Sequence, residues 1–195
     1  MSNQPNIPSD FLRTIPDNLP IPINDNACCH LTGLLLPNIN LNSTSGNTVN
    51  LSQISGLVVI YCYPMTGKPN QTLPEGWILI PGAAGCTPQS CSFRDHYQEL
   101  IDLNVTVFGI STQSTNDQSE AVNRLHLPFE LLSDISLIFA NILKLPMFEV
   151  EGRQLLKRVT LIAKEGKILK YFYPVFPPDK NIDDVILWLR EEKLE

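Results

Sequence analysis

The sequence of 195 residues has no apolar run of the roughly 18–20 residues needed to cross a bilayer. It has no cluster of basic residues either. Its 14 Lys and Arg are scattered and outnumbered by 20 Asp and Glu, for a net charge of −6. Nucleic-acid backbones call for a concentrated basic surface, so no nucleic-acid partner is expected. The first residues, MSNQPNIPSDFLRTIP, lack the basic start and apolar stretch of a secretory leader. The expectation is a soluble cytoplasmic protein with no membrane partner and small-molecule chemistry. Internal repeats are missing, and so is any C-x-x-C pair. The cysteines number five, namely Cys28, Cys29, Cys62, Cys86 and Cys91. An odd count in a reducing compartment argues against a permanent disulfide framework. Cysteines in such a place pack as small apolar groups, bind metal or react.

What is present begins with 43% hydrophobic residues, enough for a real core in one α/β domain with a terminal extension. Residues 1–50 are rich in Asn, Pro and Ser and read as mostly irregular, with a short hairpin around Ser45-Gly46-Asn47. The pattern changes at Gly56. LVVIYCY (57–63) and VTVFGIS (105–111) are uninterrupted apolar runs, the mark of strands buried on both faces. A long loop, 64–85, follows the first of them, and loops of that length are commonly functional. Thr87-Pro88 reads as a helix start, with Thr as N-cap and Pro at the first helical position. Phe93, Tyr97, Leu100 and Ile101 then share one helical face.

Further on, a helix is expected over 117–126, a strand over 129–134, and a short helix over 136–143. LLKRVTLIA (155–163) and ILKYFYP (168–174) flank Lys164-Glu165-Gly166-Lys167, a hairpin signal. The final segment places Ile182, Val185, Ile186 and Leu189 on one helical face. Asp179 to Asp184 sit at its start, where the helix dipole favours negative charge. The order β-α-β-α-β-α-β-β-α implies a mixed central sheet flanked by helices. Sites in such sheets gather beyond the carboxyl ends of strands, which is where the 64–85 loop delivers Cys86.

Cys86 stands at or just before a helix start, where free N–H groups and partial positive charge favour thiolate over thiol. Cys91 follows five residues later. In an unbroken helix that spacing puts the two Cα atoms about 8.7 Å apart, from the helix rise and radius. A disulfide needs less than about 7 Å. The pair can therefore bond only after the first turn unwinds. Zinc is a weaker alternative, because C-x4-C is a loose spacing and His30, His96 and His126 show no ligand-like pattern. Cys62 reads as core, and Cys28-Cys29 as surface residues of the arm. Arg158, entering a buried strand, needs a partner for its charge, and the Cys86 thiolate is one candidate. Arg94 either points back toward the cysteines or pairs with Asp95.

Taken in order, VVIYCYP, GCTPQSCSFRDHYQEL, VFGIST, LPFELLSD, KRVTLI and EGKI resemble the peroxiredoxin family, in particular its bacterioferritin comigratory protein or peroxiredoxin Q type. The likeness spans about residues 34–193. It implies a thioredoxin-like domain over 34–195 behind an irregular arm, 1–33. It also implies a thioredoxin-dependent peroxidase that acts on hydrogen peroxide and organic hydroperoxides. Cys86 becomes the peroxidatic cysteine, Cys91 the resolving cysteine five residues on in the same helix, and Arg158 the active-site arginine. The implied partners are a peroxide and thioredoxin or a similar dithiol, in a monomer or homodimer that needs neither cofactor nor metal.

One feature of the family pattern, P-x-x-x-T-x-x-C, is missing. Ala83 stands three residues before Cys86 and Leu79 seven before it, while Pro64 lies some fifteen residues too early. The threonine's part then falls to Thr66, Thr87 or Thr112 through the fold, or to backbone donors of Pro81-Gly82-Ala83-Ala84-Gly85. Thr87, Gly85 and Ala84 are the candidate substrate-positioning residues. The altered loop also raises a second function, a redox-responsive regulatory or binding protein on the same fold. A dithiol–disulfide oxidoreductase is a third, weakened by the missing C-x-x-C.

Overall fold

The computed structural model describes residues 14–192. Its strands are β1 (Leu41–Ser43), β2 (Thr48–Val49), β3 (Leu57–Cys62), β4 (Val105–Ser111), β5 (Glu130–Ser133), β6 (Met147–Val150), β7 (Arg153–Leu156), β8 (Val159–Lys164) and β9 (Lys167–Phe172). Its helices are α1 (Cys86–Asp95), α2 (Tyr97–Asp102), α3 (Thr115–Leu125), α4 (Ile138–Leu143) and α5 (Asn181–Glu191). Seven strands form one sheet in the order β2-β1-β5-β4-β3-β8-β9. β3, β4 and β5 run parallel; on one side β8 pairs antiparallel with β3 and β9 antiparallel with β8, and on the other β1 pairs antiparallel with β5. A mixed sheet flanked by helices is the architecture expected, and it is thioredoxin-like.

Alternation along the central strands explains their unbroken apolar runs. Val58, Ile60 and Cys62 of β3 face a core that includes Phe139 and Leu143 of α4. Val59 and Tyr61 face the opposite core, closed by Phe93 of α1, Leu125 of α3 and Ile182 and Val185 of α5. A third, smaller cluster joins the 64–85 loop to the β6–β7 hairpin. There Trp77 packs with Met65, Ala83, Val150 and Leu155, and its ring lies 6.2 Å from that of Phe148. The long loop is thus a packed attachment with a core of its own.

Three expectations are corrected. The run 155–163 is not one strand: β7 ends at Leu156 and β8 begins at Val159, and Lys157 N–H bonds Pro146 O between them. The helix through Phe93 and Ile101 is interrupted at His96, whose Nδ1 bonds Ser92 O at 2.9 Å and competes with the helical ladder. Ile101, expected on the buried face, is exposed as a result. Cys28 is not a surface residue. It is fully buried with Leu31 in the core under α4, which ties the segment before residue 34 to the sheet. The hairpin near residues 45–47 forms, as β1 and β2. The first thirteen residues of the expected arm, and Lys193 at the chain's end, lie outside the described residues.

Candidate active site

β3 ends at Cys62 and the 64–85 loop carries the chain back to α1, beyond the sheet's carboxyl edge. The N-cap is Gly85, in the left-handed region at φ 96°, and not Thr87 as expected. Only glycine fits there, because a Cβ on Gly85 would lie 2.4 Å from Pro178 Cγ. Cys86 is therefore the first helical residue, with Thr87 second and Pro88 third. Proline is tolerated in this turn because its missing N–H would have had no helical acceptor. The helix runs unbroken from Cys86 to Asp95, and Cys91 lies within it. Both sulfurs are free thiols.

Arg158 lies between β7 and β8, and the join between those strands turns its side chain into the protein. It is 3% exposed, and Nη2 stands 3.2 Å from Cys86 Sγ. The same nitrogen donates to the carbonyls of Gly82 (3.3 Å), Ala83 (3.3 Å) and Ala84 (3.0 Å). Its Nη1 donates to Gln89 Oε1, while Nε, also buried, has no partner. Among the described residues no carboxylate pairs with this guanidinium. The guanidinium charge therefore stands beside the Cys86 sulfur with no carboxylate to offset it. The 82–84 segment, considered as a source of N–H donors, instead turns its carbonyls to the arginine.

A buried polar chain extends from this point. Gln89 Nε2 donates to Asn181 Oδ1 at 3.2 Å, and Thr160 Oγ1 donates to the same oxygen at 2.5 Å. Gln89, Asn181 and Thr160 escaped sequence reasoning. One signal existed: Gln89 lies one turn after Cys86, so both project toward the same side of α1.

Cys86, Thr87, Gly85 and Ala84 line one small cavity of about 30 Å³, closed in part by Met65 and Trp77. The other two threonines are engaged elsewhere. Thr66 donates to Gln113 Oε1 through N–H and Oγ1, and Thr112 Oγ1 donates to Gln154 O. A larger cavity of about 490 Å³ reaches the other side of Arg158, lined largely by Ile23, Ile80, Phe148, Tyr173 and Val175. Cys62 lies in the core as expected, and His30 bonds Leu143 O through Nε2. No helix among the described residues is long and apolar enough to cross a membrane.

A cysteine at the first turn of a helix, facing a buried arginine on a thioredoxin-like sheet, defines a thiol-dependent oxidoreductase. Comparison with known proteins places the chain within that class. The family model described as Redoxin matches residues 31–186. The chloroplastic peroxiredoxin Q of Gentiana triflora is 26% identical over 186 residues, 92% of this chain and 78% of that one. Peroxiredoxin Bcp of Bacillus subtilis is 29% identical over 143 residues, 71% and 82% of the two chains. The crystal structure of peroxidoxin BcpB from Mycobacterium tuberculosis superposes with a TM-score of 0.68 at 25% identity, covering 83% of this chain and 97% of that one. Several other plant relatives are longer, and the chain spans 64–65% of their length. The chain belongs to the redoxin family, and within it to the peroxiredoxins, the thiol peroxidases of this fold.

Proposed function

We propose that Cys86 is the peroxidatic cysteine, Arg158 its partner in holding peroxide, and Cys91 the resolving cysteine. The Cys86 thiolate attacks one oxygen of hydrogen peroxide or of an organic hydroperoxide. The O–O bond breaks, Cys86 becomes a sulfenic acid, and water or an alcohol leaves. Charge moves onto the leaving oxygen in that step, and a fixed donor beside the sulfur stabilises it. The observation that carries the assignment is the 3.2 Å contact between Arg158 Nη2 and Cys86 Sγ at the first turn of α1.

The small cavity beside Cys86 has room for a hydroperoxide group and little more, with Thr87 and Thr14 in its lining. The larger apolar cavity behind Arg158 favours peroxides with an apolar substituent as additional substrates. Cys91 then displaces hydroxide from the sulfenic acid and forms an intrachain disulfide once the first turn of α1 opens. A thioredoxin-type dithiol returns both thiols. This cycle needs a reducing compartment, for which we retain the cytoplasm, although the plant relatives are named as chloroplastic.

The test is stopped-flow consumption of hydrogen peroxide and cumene hydroperoxide by wild type, Cys86→Ser and Cys91→Ser, with mass spectrometry of the products. Wild type is expected to react far faster than free cysteine and to yield a Cys86–Cys91 disulfide. Cys86→Ser should be inert. Cys91→Ser should accumulate sulfenic acid and, in excess peroxide, sulfinic acid. A wild-type rate no greater than that of free cysteine would overturn the assignment.

A further inference from the structure

Arg94 lies three residues after Cys91 on α1, so helical geometry sets the two side chains next to one another. Its guanidinium is anchored by groups other than the sulfur. Nε donates to Asp95 Oδ1 at 2.8 Å, and Nη1 donates to Leu125 O at 2.7 Å. Leu125 is the last residue of α3, where unsatisfied carbonyls and the negative end of the helix dipole favour a cation. Held in this way, the Arg94 guanidinium lies beside Cys91, one turn of α1 away. The bonds to Asp95 and then the charge interaction with Cys91 keep the guanidinium firmly protonated.

Building on the assignment of Cys91 as the resolving cysteine, we propose that Arg94 is a positioning residue for the resolving step. It keeps Cys91 as a thiolate within the folded helix, so that the sulfur is already nucleophilic when the first turn of α1 opens. The Cys91 thiolate attacks the sulfur of the Cys86 sulfenic acid. An S–S bond forms and the S–O bond breaks. Hydroxide leaves and takes up a proton from solvent to become water. Cys91 is oxidised and Cys86 reduced by equal amounts, so no outside oxidant is consumed. A neutral thiol would first have to lose its proton, and an unassisted cysteine is mostly protonated near neutrality.

The groups facing Cys91 make Arg94 the one that decides its ionisation. On its own helix these are Arg94 and, four residues on, the partly offsetting Asp95. From β3 comes Tyr61, whose hydroxyl donates to Ser90 and whose phenol stays neutral, its pKa raised by burial. The α3 side contributes a backbone carbonyl, which holds Arg94. Asp95 is the more exposed member of its ion pair, and water weakens its claim on the shared charge.

The test follows Cys91 alkylation by iodoacetamide as a function of pH, read by peptide mass spectrometry in a Cys86→Ser background. Arg94→Gln is expected to raise the midpoint by about one unit, as loss of a neighbouring opposite charge does. That shift slows alkylation near neutrality by about 10-fold. Arg94→Lys should retain most of the effect, and Asp95→Asn, at an exposed position, should lower the midpoint. In the protein with both cysteines, sulfenic acid formation by Arg94→Gln should match wild type. Its disulfide formation should be several-fold slower at pH 7 and recover at pH 9. Unchanged midpoints in both Arg94→Gln and Asp95→Asn would overturn the proposal, as would a resolving step equally slow at both pH values. If wild type itself forms no Cys86–Cys91 disulfide, it is the underlying assignment that fails.

Discussion

The guanidinium of Arg158 lies 3.2 Å from the sulfur of Cys86, 72 residues away in the chain. One nitrogen serves the sulfur and three backbone carbonyls, and a second serves Gln89. A lysine ammonium presents a single point and cannot span these groups at once. Arg158→Lys should lower the rate of peroxide consumption by about 100-fold, the usual scale for losing one fixed donor to a developing oxyanion. Stopped-flow measurement beside a thermal melt separates this loss from unfolding. A rate within a few-fold of wild type would mean that the arginine does not act on the reacting oxygens.

Gly85 sets the start of α1 and lets Pro178 approach it. Gly85→Ala meets both a left-handed backbone and a 2.4 Å contact. Each costs on the order of 1–3 kcal/mol. Urea denaturation should show a loss of about 2–4 kcal/mol. A loss below about 1 kcal/mol would imply that Pro178 yields freely.

Cys28, Cys62 and Cys86 are all buried, but of these three only Cys86 lines the small cavity at the start of α1. Burial pushes the Cys28 thiol up to about 12, and that of Cys62 higher still. In the native protein at pH 8, neither should be alkylated on the timescale that modifies Cys86, Cys91 and the exposed Cys29. Peptide mass spectrometry after timed iodoacetamide treatment reads this directly. Prompt labelling of Cys28 would show that the segment around it opens readily.

Asp25 couples the irregular segment to the body of the protein. Its bonds from Lys157 and then Tyr173 lower its pKa to about 2, from an ordinary 3.8. The folded value lies below the unfolded one, so this contribution is fully present above about pH 4. It is lost as the pH falls toward 2. Cleavage by pepsin before Leu31 should therefore increase across that window. Asp25→Asn should show cleavage that varies little with pH over the same range.

Much of the scaffold was legible because its signals are local. The runs at 57–63 and 105–111 have the composition of doubly buried strands, and they pair as β3 and β4. The five-residue spacing of Cys86 and Cys91 already implied a pair held apart by a helix. Local patterns failed where a side chain's partner lay elsewhere in the chain. The strand expected over 155–163 breaks at Lys157-Arg158, and that break directs the arginine inward. Cys28 looked exposed in an Asn- and Pro-rich stretch, yet the α4 side of the sheet covers it.

The sequence by itself determined the central strands and the helix start near Cys86, and it marked Cys86 and Cys91 as the candidate pair, since periodicity and spacing depend on neighbouring residues alone. Tertiary structure decided what surrounds the sulfur. It brought Arg158 to Cys86, joined Gln89 to Asn181 and Thr160, and engaged Thr66 and Thr112 elsewhere while leaving Thr87 at the cavity. Each of those contacts links distant segments. Which donor meets which acceptor depends on how the loop, sheet and helices pack, and no local propensity records that.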